Sequence, residues 1–169
     1  MTARVGRGAG MLVMAAVLPL AGCDDGDRTG GGDAGGGRAA AATKAARAYQ
    51  QAQLDQSWEA VCEARTERLL RSWGADTVAE CVRMTSTPRV GGHADLPVST
   101  GEALELPAFG PHPAGIGLRV TVGTAAGGMH IDTALRLVPG DRGAWLVDDA
   151  RNLGGDVGPE AVRAALERE

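Results

Sequence analysis

Residues 118–151, LRVTVGTAAGGMHIDTALRLVPGDRGAWLVDDAR, decide the fold class. Leu118, Val120 and Val122 alternate with Arg119, Thr121 and Gly123, the period of two of a strand with one apolar face. After AAGG, the residues Met129, Ile131, Thr133, Leu135 and Leu137 alternate with His130, Asp132, Ala134 and Arg136. After PGDRG, residues 144–151 supply a third run, so the segment predicts a three-strand antiparallel meander. The alternation assigns Met129 and Ile131 to the core and turns His130 and Asp132 outward. By the same count Asp148 and Asp149 point to opposite sides of their strand and cannot work as a carboxylate dyad.

Upstream of the meander the period is helical. Residues 39–56 are alanine-rich and free of Gly and Pro, a helix by propensity. Ser57 caps a second helix whose apolar positions Trp58, Val61, Cys62, Leu69, Leu70 and Trp73 recur at helical spacing, and Gly74 ends it. Thr77 and Glu80 make a T-x-x-E capping box for a shorter helix with Val78, Cys81 and Val82 inward. Residues 88–117 hold five prolines and six glycines and read as irregular, with one edge strand near Ala103–Phe109. Gly158-Pro159 starts a last amphipathic helix with Val162, Ala165 and Leu166 on one face. Helices first and an antiparallel sheet afterwards predict an α+β domain over 39–169.

The chain begins differently. Arg4 and Arg7 precede MLVMAAVLPL at 11–20, an apolar run of about 15 Å as a helix, half the hydrocarbon thickness. Basic start, short apolar run and small residues mark residues 1–22 as a secretory signal peptide. Leu20-Ala21-Gly22-Cys23 resembles the lipobox of bacterial lipoproteins. That resemblance implies a diacylglyceryl group on the Cys23 thiol and cleavage just before it; an ordinary signal peptide with a chance cysteine is the alternative. Two acyl chains would anchor the protein stably to the membrane. Residues 24–38, with seven glycines and no large apolar side chain, then read as a tether with a reach of roughly 20 Å.

The charge is 17 Lys and Arg against 21 Asp and Glu, a net −4. Loss of Arg4 and Arg7 makes the mature chain more acidic, which argues against nucleic acid as a partner. Tyr49 and Phe109 are the single members of their types, so the large core pieces are expected to be Trp58, Trp73 and Trp145. With Cys23 lipidated in an oxidising space, Cys62 and Cys81 are left to pair, two buried free thiols being the alternative.

ARAYQQAQLDQSWEAVCE at 46–63, AECV at 79–82 and LRLVPGDRGAWLVDDA at 135–150 together are similar to small actinobacterial lipoproteins with an NTF2-like (cystatin-like, SnoaL-like) domain. The resemblance implies a curved antiparallel sheet wrapping the first helix around a cone-shaped pocket, and a homodimer through the sheet. The quoted stretches cover under a quarter of the chain, and residues 86–117 depart from the resemblance. Members include binding domains and enzymes, so function rests on the residues themselves.

Those residues offer little catalytic pattern. His93, His112 and His130 show no metal-ligand spacing, so no metal or other cofactor is expected. His130 and Asp132 share a strand face as an acid–base pair would, against a solvated-face reading. Tyr49 reads as core rather than as a proton donor. Gly115-Ile116-Gly117 precedes a strand and is no phosphate cradle. Arg65, Arg68 and Arg71, accompanied by Glu63 and Glu67, read as a solvated helix face with Glu67 and Arg71 paired. No catalytic residue is assigned. The expectation is a lipid-anchored extracytoplasmic binding or accessory domain for a small apolar ligand or an envelope protein. The alternatives are a ketosteroid-isomerase-like enzyme and an envelope interaction protein. Replacing Cys23 with Ser should release the protein from the membrane fraction; a Cys23→Ser product still lipidated and membrane-bound, on fractionation and mass spectrometry, would refute the anchor.

Overall fold

The structure, a computed structural model, describes residues 33–86, 95–123, 130–155 and 157–168. The lipobox residues Leu20, Ala21, Gly22 and Cys23, together with His93 and Met129, lie outside the described residues. The architecture is α+β, with helices preceding a curved, unclosed five-strand antiparallel sheet, consistent with an NTF2-like cone.

Helix α1 spans Asp33–Leu54 and begins six residues before the alanine run. Residues 33–38, expected to belong to the tether, are therefore helical: the helix nucleated by Ala39–Ala48 extends through exposed Gly35–Arg38, and Arg38 lies 3.8 Å from Glu105 and 5.8 Å from the Trp145 ring centre. Ala42, Ala46 and Tyr49, one face at i, i+4 and i+7, are buried against the sheet.

The expected second helix is two. α2 covers Trp58–Glu63 and α3 covers Glu67–Ser72, and the chain breaks between them for a tertiary reason. Thr66 N donates to the carbonyl of Val147, and Val147 N donates to the carbonyl of Ala64, at 3.0 and 2.8 Å. This short parallel bridge needs extended backbone at Thr66, whose hydroxyl then caps α3 by accepting from Leu69 N. Ser57 precedes α2 without a side-chain cap bond. Helix α4, Val78–Thr85, starts as expected: Glu80 N donates to the Thr77 hydroxyl, while the Glu80 carboxylate accepts from Asp76 N rather than closing on Thr77.

Cys62 on α2 and Cys81 on α4 are disulfide-bonded, with sulfurs 2.02 Å apart, and pack with Leu70 and Ala75 in a small cluster.

The expected meander is β3 (Gly115–Gly123), β4 (His130–Pro139) and β5 (Trp145–Asn152). The Pro- and Gly-rich middle contributes two short strands where one was expected, β1 (Val98–Thr100) and β2 (Leu104–Leu106). Both pair antiparallel with β3, giving the order β1-β3-β4-β5 with β2 beside the other half of β3. Glycine is required at Gly115, where a Cβ would lie 2.1 Å from the Leu137 carbonyl oxygen.

Ile116, Leu118, Val120, Leu135, Leu137 and Val147 form the main core beneath α1, as the alternation demands. The tryptophans do not fill it. Trp73 is 50% exposed, Trp58 and Trp145 are partly buried, and small aliphatics with Tyr49 do the packing. The opposite face of the sheet is covered too. Helix α5, Pro159–Leu166, lays Val162, Ala165 and Leu166 over Ala134 and Leu106 in a second cluster. Ile131 is the reverse case: it keeps the core-face parity but is 61% exposed at the end of its strand.

A disulfide spanning 19 positions should contribute roughly 3 kcal/mol through loop-closure entropy. The Cys62→Ala/Cys81→Ala double variant should therefore unfold at clearly lower urea concentration with an intact fold; an unchanged midpoint would show that the bridge adds nothing.

Candidate functional site

Two polar arrangements stand out, both on the face of the sheet shared with α5. The first is a buried ionic cluster built by a β-bulge. Arg136 pairs with Asp149, but Leu137 pairs with Val147, so Asp148 is the extra residue on β5. The bulge overturns the expectation that Asp148 and Asp149 diverge. Both carboxylates now approach one imidazole: His112 Nδ1 lies 2.7 Å from Asp148 Oδ2, and His112 Nε2 lies 4.0 Å from Asp149 Oδ2. All three residues are buried.

His112 comes from a tight turn in which Phe109 and His112 exchange backbone hydrogen bonds around Gly110 at φ +52°. Asp148 Oδ1 accepts from the Thr66 hydroxyl and from Arg68 Nε at 2.9 and 3.0 Å, and its carbonyl accepts from Arg68 Nη2. Asp149 accepts from Ala150 N and from Arg151 Nε, at 2.9 and 3.0 Å.

At the centre lies Arg136, with no exposed surface. Its Nη1 donates to the carbonyls of Pro107 and Pro113, and its Nη2 to that of Leu166. Nε has no hydrogen-bond partner among the described residues. Burial pushes the guanidinium below its ordinary pKa, while Asp148, Asp149 and Glu167 raise it. An arginine so placed remains the cation of the cluster.

The helical arginines are likewise not a solvated row. Arg65 is 5% exposed: its Nε donates to the Tyr49 hydroxyl, its Nη1 to Cys81 Sγ, and its guanidinium stacks 4.1 Å from the Trp73 ring. Arg68 turns inward to Asp148. Arg71 alone keeps the expected role, exposed and 3.3 Å from Glu67. Tyr49 is core, as expected.

The second arrangement is open to solvent. A cavity of about 310 Å³ lies between β2, β3 and α5, lined by Leu104, Val157, Pro159 and Val162 with Glu102 and Arg119. Arg119 Nη1 donates to the Val157 carbonyl at 3.0 Å, and its buried Nε has no hydrogen-bond partner among the described residues. Behind it Asp132 lies 3.8 Å away, accepts from the Thr121 hydroxyl, and stands 3.1 Å from His130 Nε2. The pair suggested by spacing therefore forms. His130 is exposed as expected, whereas Asp132, expected outward, is buried, because Thr121 and Arg119 close over it.

Among the described residues no group of His, Cys, Asp and Glu could hold a metal ion, and no helix is long and apolar enough to cross a membrane. Comparison with protein-family models, with curated proteins and with solved structures found no match to this chain.

Sequence reasoning missed Arg136, although a signal was present. It is a lone charge inside TALRLVP, between Leu135 and Leu137, on a face read as solvated. Removing it would leave Asp148 and Asp149 with less compensation and three carbonyls without their donor. Arg136→Met should cost about 3–5 kcal/mol in urea unfolding. A loss below about 1 kcal/mol would mean that surrounding groups satisfy the cluster without it.

Proposed function

We propose that this chain is a lipid-anchored extracytoplasmic binding domain of NTF2-like type, held to the membrane through a diacylglyceryl group on Cys23. The observation that carries binding over catalysis is how the imidazole and carboxylates of the buried cluster are engaged. His112 Nδ1 meets Asp148 Oδ2, Thr66 and Arg68 donate to Asp148 Oδ1, Ala150 N donates to Asp149 Oδ1, and Arg151 donates to Asp149 Oδ2, the oxygen that faces His112. A general base must reach a proton on a substrate, and these groups reach the fold instead.

The compartment rests on the cysteines. Cys62 and Cys81 are bonded to one another, a state favoured by an oxidising space, and Cys23 is the remaining one of three. It sits where a lipoprotein would carry its lipid.

A second reading has its own observation. Trp73 and Met84, 50% and 52% exposed, flank Gly74 at the α3–α4 turn, and such surface favours an envelope protein as partner. Native mass spectra of the full chain, exported by its host and extracted in mild detergent, separate the two. A non-covalent small-molecule adduct supports ligand binding; bare protein, or protein bound only to another chain, refutes it in favour of the interaction reading.

A further inference from the structure

The cavity between β2, β3 and α5 carries two opposite charges that do not pair with each other. Glu102 has no ion-pair partner among the described residues, and Arg119, whose Nε is buried 3.8 Å from Asp132 Oδ1, lines the same cavity. Their segments are adjacent. A Cβ on Gly101 would stand 3.4 Å from Arg119 Cβ and 3.6 Å from its Nε, so Glu102 follows directly on the residue against which Arg119 packs. The remaining wall is aliphatic, from Leu104, Val157, Pro159 and Val162.

A plain carboxylic acid would meet Arg119 but approach Glu102 with like charge. A plain amine would meet Glu102 but approach the guanidinium. A molecule carrying both charges close together satisfies both, and an aliphatic body then covers the apolar wall. The volume, about 310 Å³, is at the small end for ligand sites and suits a compact molecule.

We infer that this cavity binds a small aliphatic zwitterion of the branched-chain α-amino acid class, its carboxylate on Arg119 and its ammonium on Glu102. The inference rests on the reading of the chain as a binding domain and adds the class of ligand. It uses neither His130 nor the buried cluster, and it involves no covalent step.

The test is saturation-transfer NMR on the full exported chain in detergent, with L-leucine as probe. Its two halves are compared with it: 4-methylpentanoate, which lacks the amine, and 3-methylbutylamine, which lacks the acid. L-Leucine should bind saturably and each half at least roughly tenfold more weakly. Glu102→Gln, at an exposed position, and Arg119→Gln should each weaken L-leucine binding by roughly tenfold with unchanged circular dichroism. The Glu102→Gln variant keeps the test valid if Arg119→Gln disturbs folding. Absence of saturation by L-leucine, L-valine and L-isoleucine at about 10 mM would overturn the inference, as would equal binding by wild type and both variants. A different molecule found in native mass spectra and not displaced by L-leucine would also overturn the ligand class while leaving the binding reading intact.

Discussion

A guanidinium with no exposed surface sits where the sheet, the 107–113 segment and the end of α5 meet. Arg136 is the largest fully buried side chain among the described residues. Taking that charge out of water is expensive, and carbonyls alone return only part of the cost. The carboxylates of Asp148 and Asp149 offset a further part of it, and the bulge in β5 sets both on the strand that pairs with β4 at Arg136. From there the chain of contacts continues outward. Asp148 holds Thr66 and Arg68, and so fixes the start of α3, while His112 ties the tight turn to β5. One buried cation thus lies at the centre of polar contacts that run from α3 to α5.

The cluster also explains why residue types familiar from active sites need not signal one here. An imidazole between two carboxylates resembles catalytic machinery when viewed as composition. Viewed as hydrogen bonds it is structural, because the imidazole Nδ1 and all four carboxylate oxygens are engaged by neighbours within the fold. Low local polarity strengthens such a network once it is complete and penalises any gap in it. A residue bound in this way cannot readily be released for chemistry without destabilising the elements it joins.

The sequence made legible whatever depends on near neighbours. Alternation located β3, β4 and β5, and Gly158-Pro159 located α5. What it left hidden depends on distant partners. The break at Thr66 follows from a hydrogen bond to Val147, 81 positions away, which no helical periodicity between Trp58 and Trp73 reveals. Alternation separates the two faces of β4 correctly but does not say that α5, a helix of only eight residues, will cover the second. Ala134 and Arg136 were therefore read as outward. The bulge was hidden for a related reason: a one-residue slip in register is a property of the strand pair and leaves no mark on WLVDDA alone. The open cavity escaped notice because Glu102 and Arg119 belong to segments that meet only when β1 and β2 both pair with β3.

Two arginines on the same face of the sheet are treated in opposite ways, and α5 accounts for both. The helix is about 12 Å long. At its C-terminal end the Leu166 carbonyl is held by Arg136, which is wholly covered. At its N-terminal end Pro159 and Val162 stand over Arg119 without closing on it, and the cavity remains between them. A helix this short has little stability of its own, so its position depends on its anchor and its apolar face. The clamp at one end thereby maintains the gap at the other. The buried cluster, without lining the cavity, holds one of its walls in place.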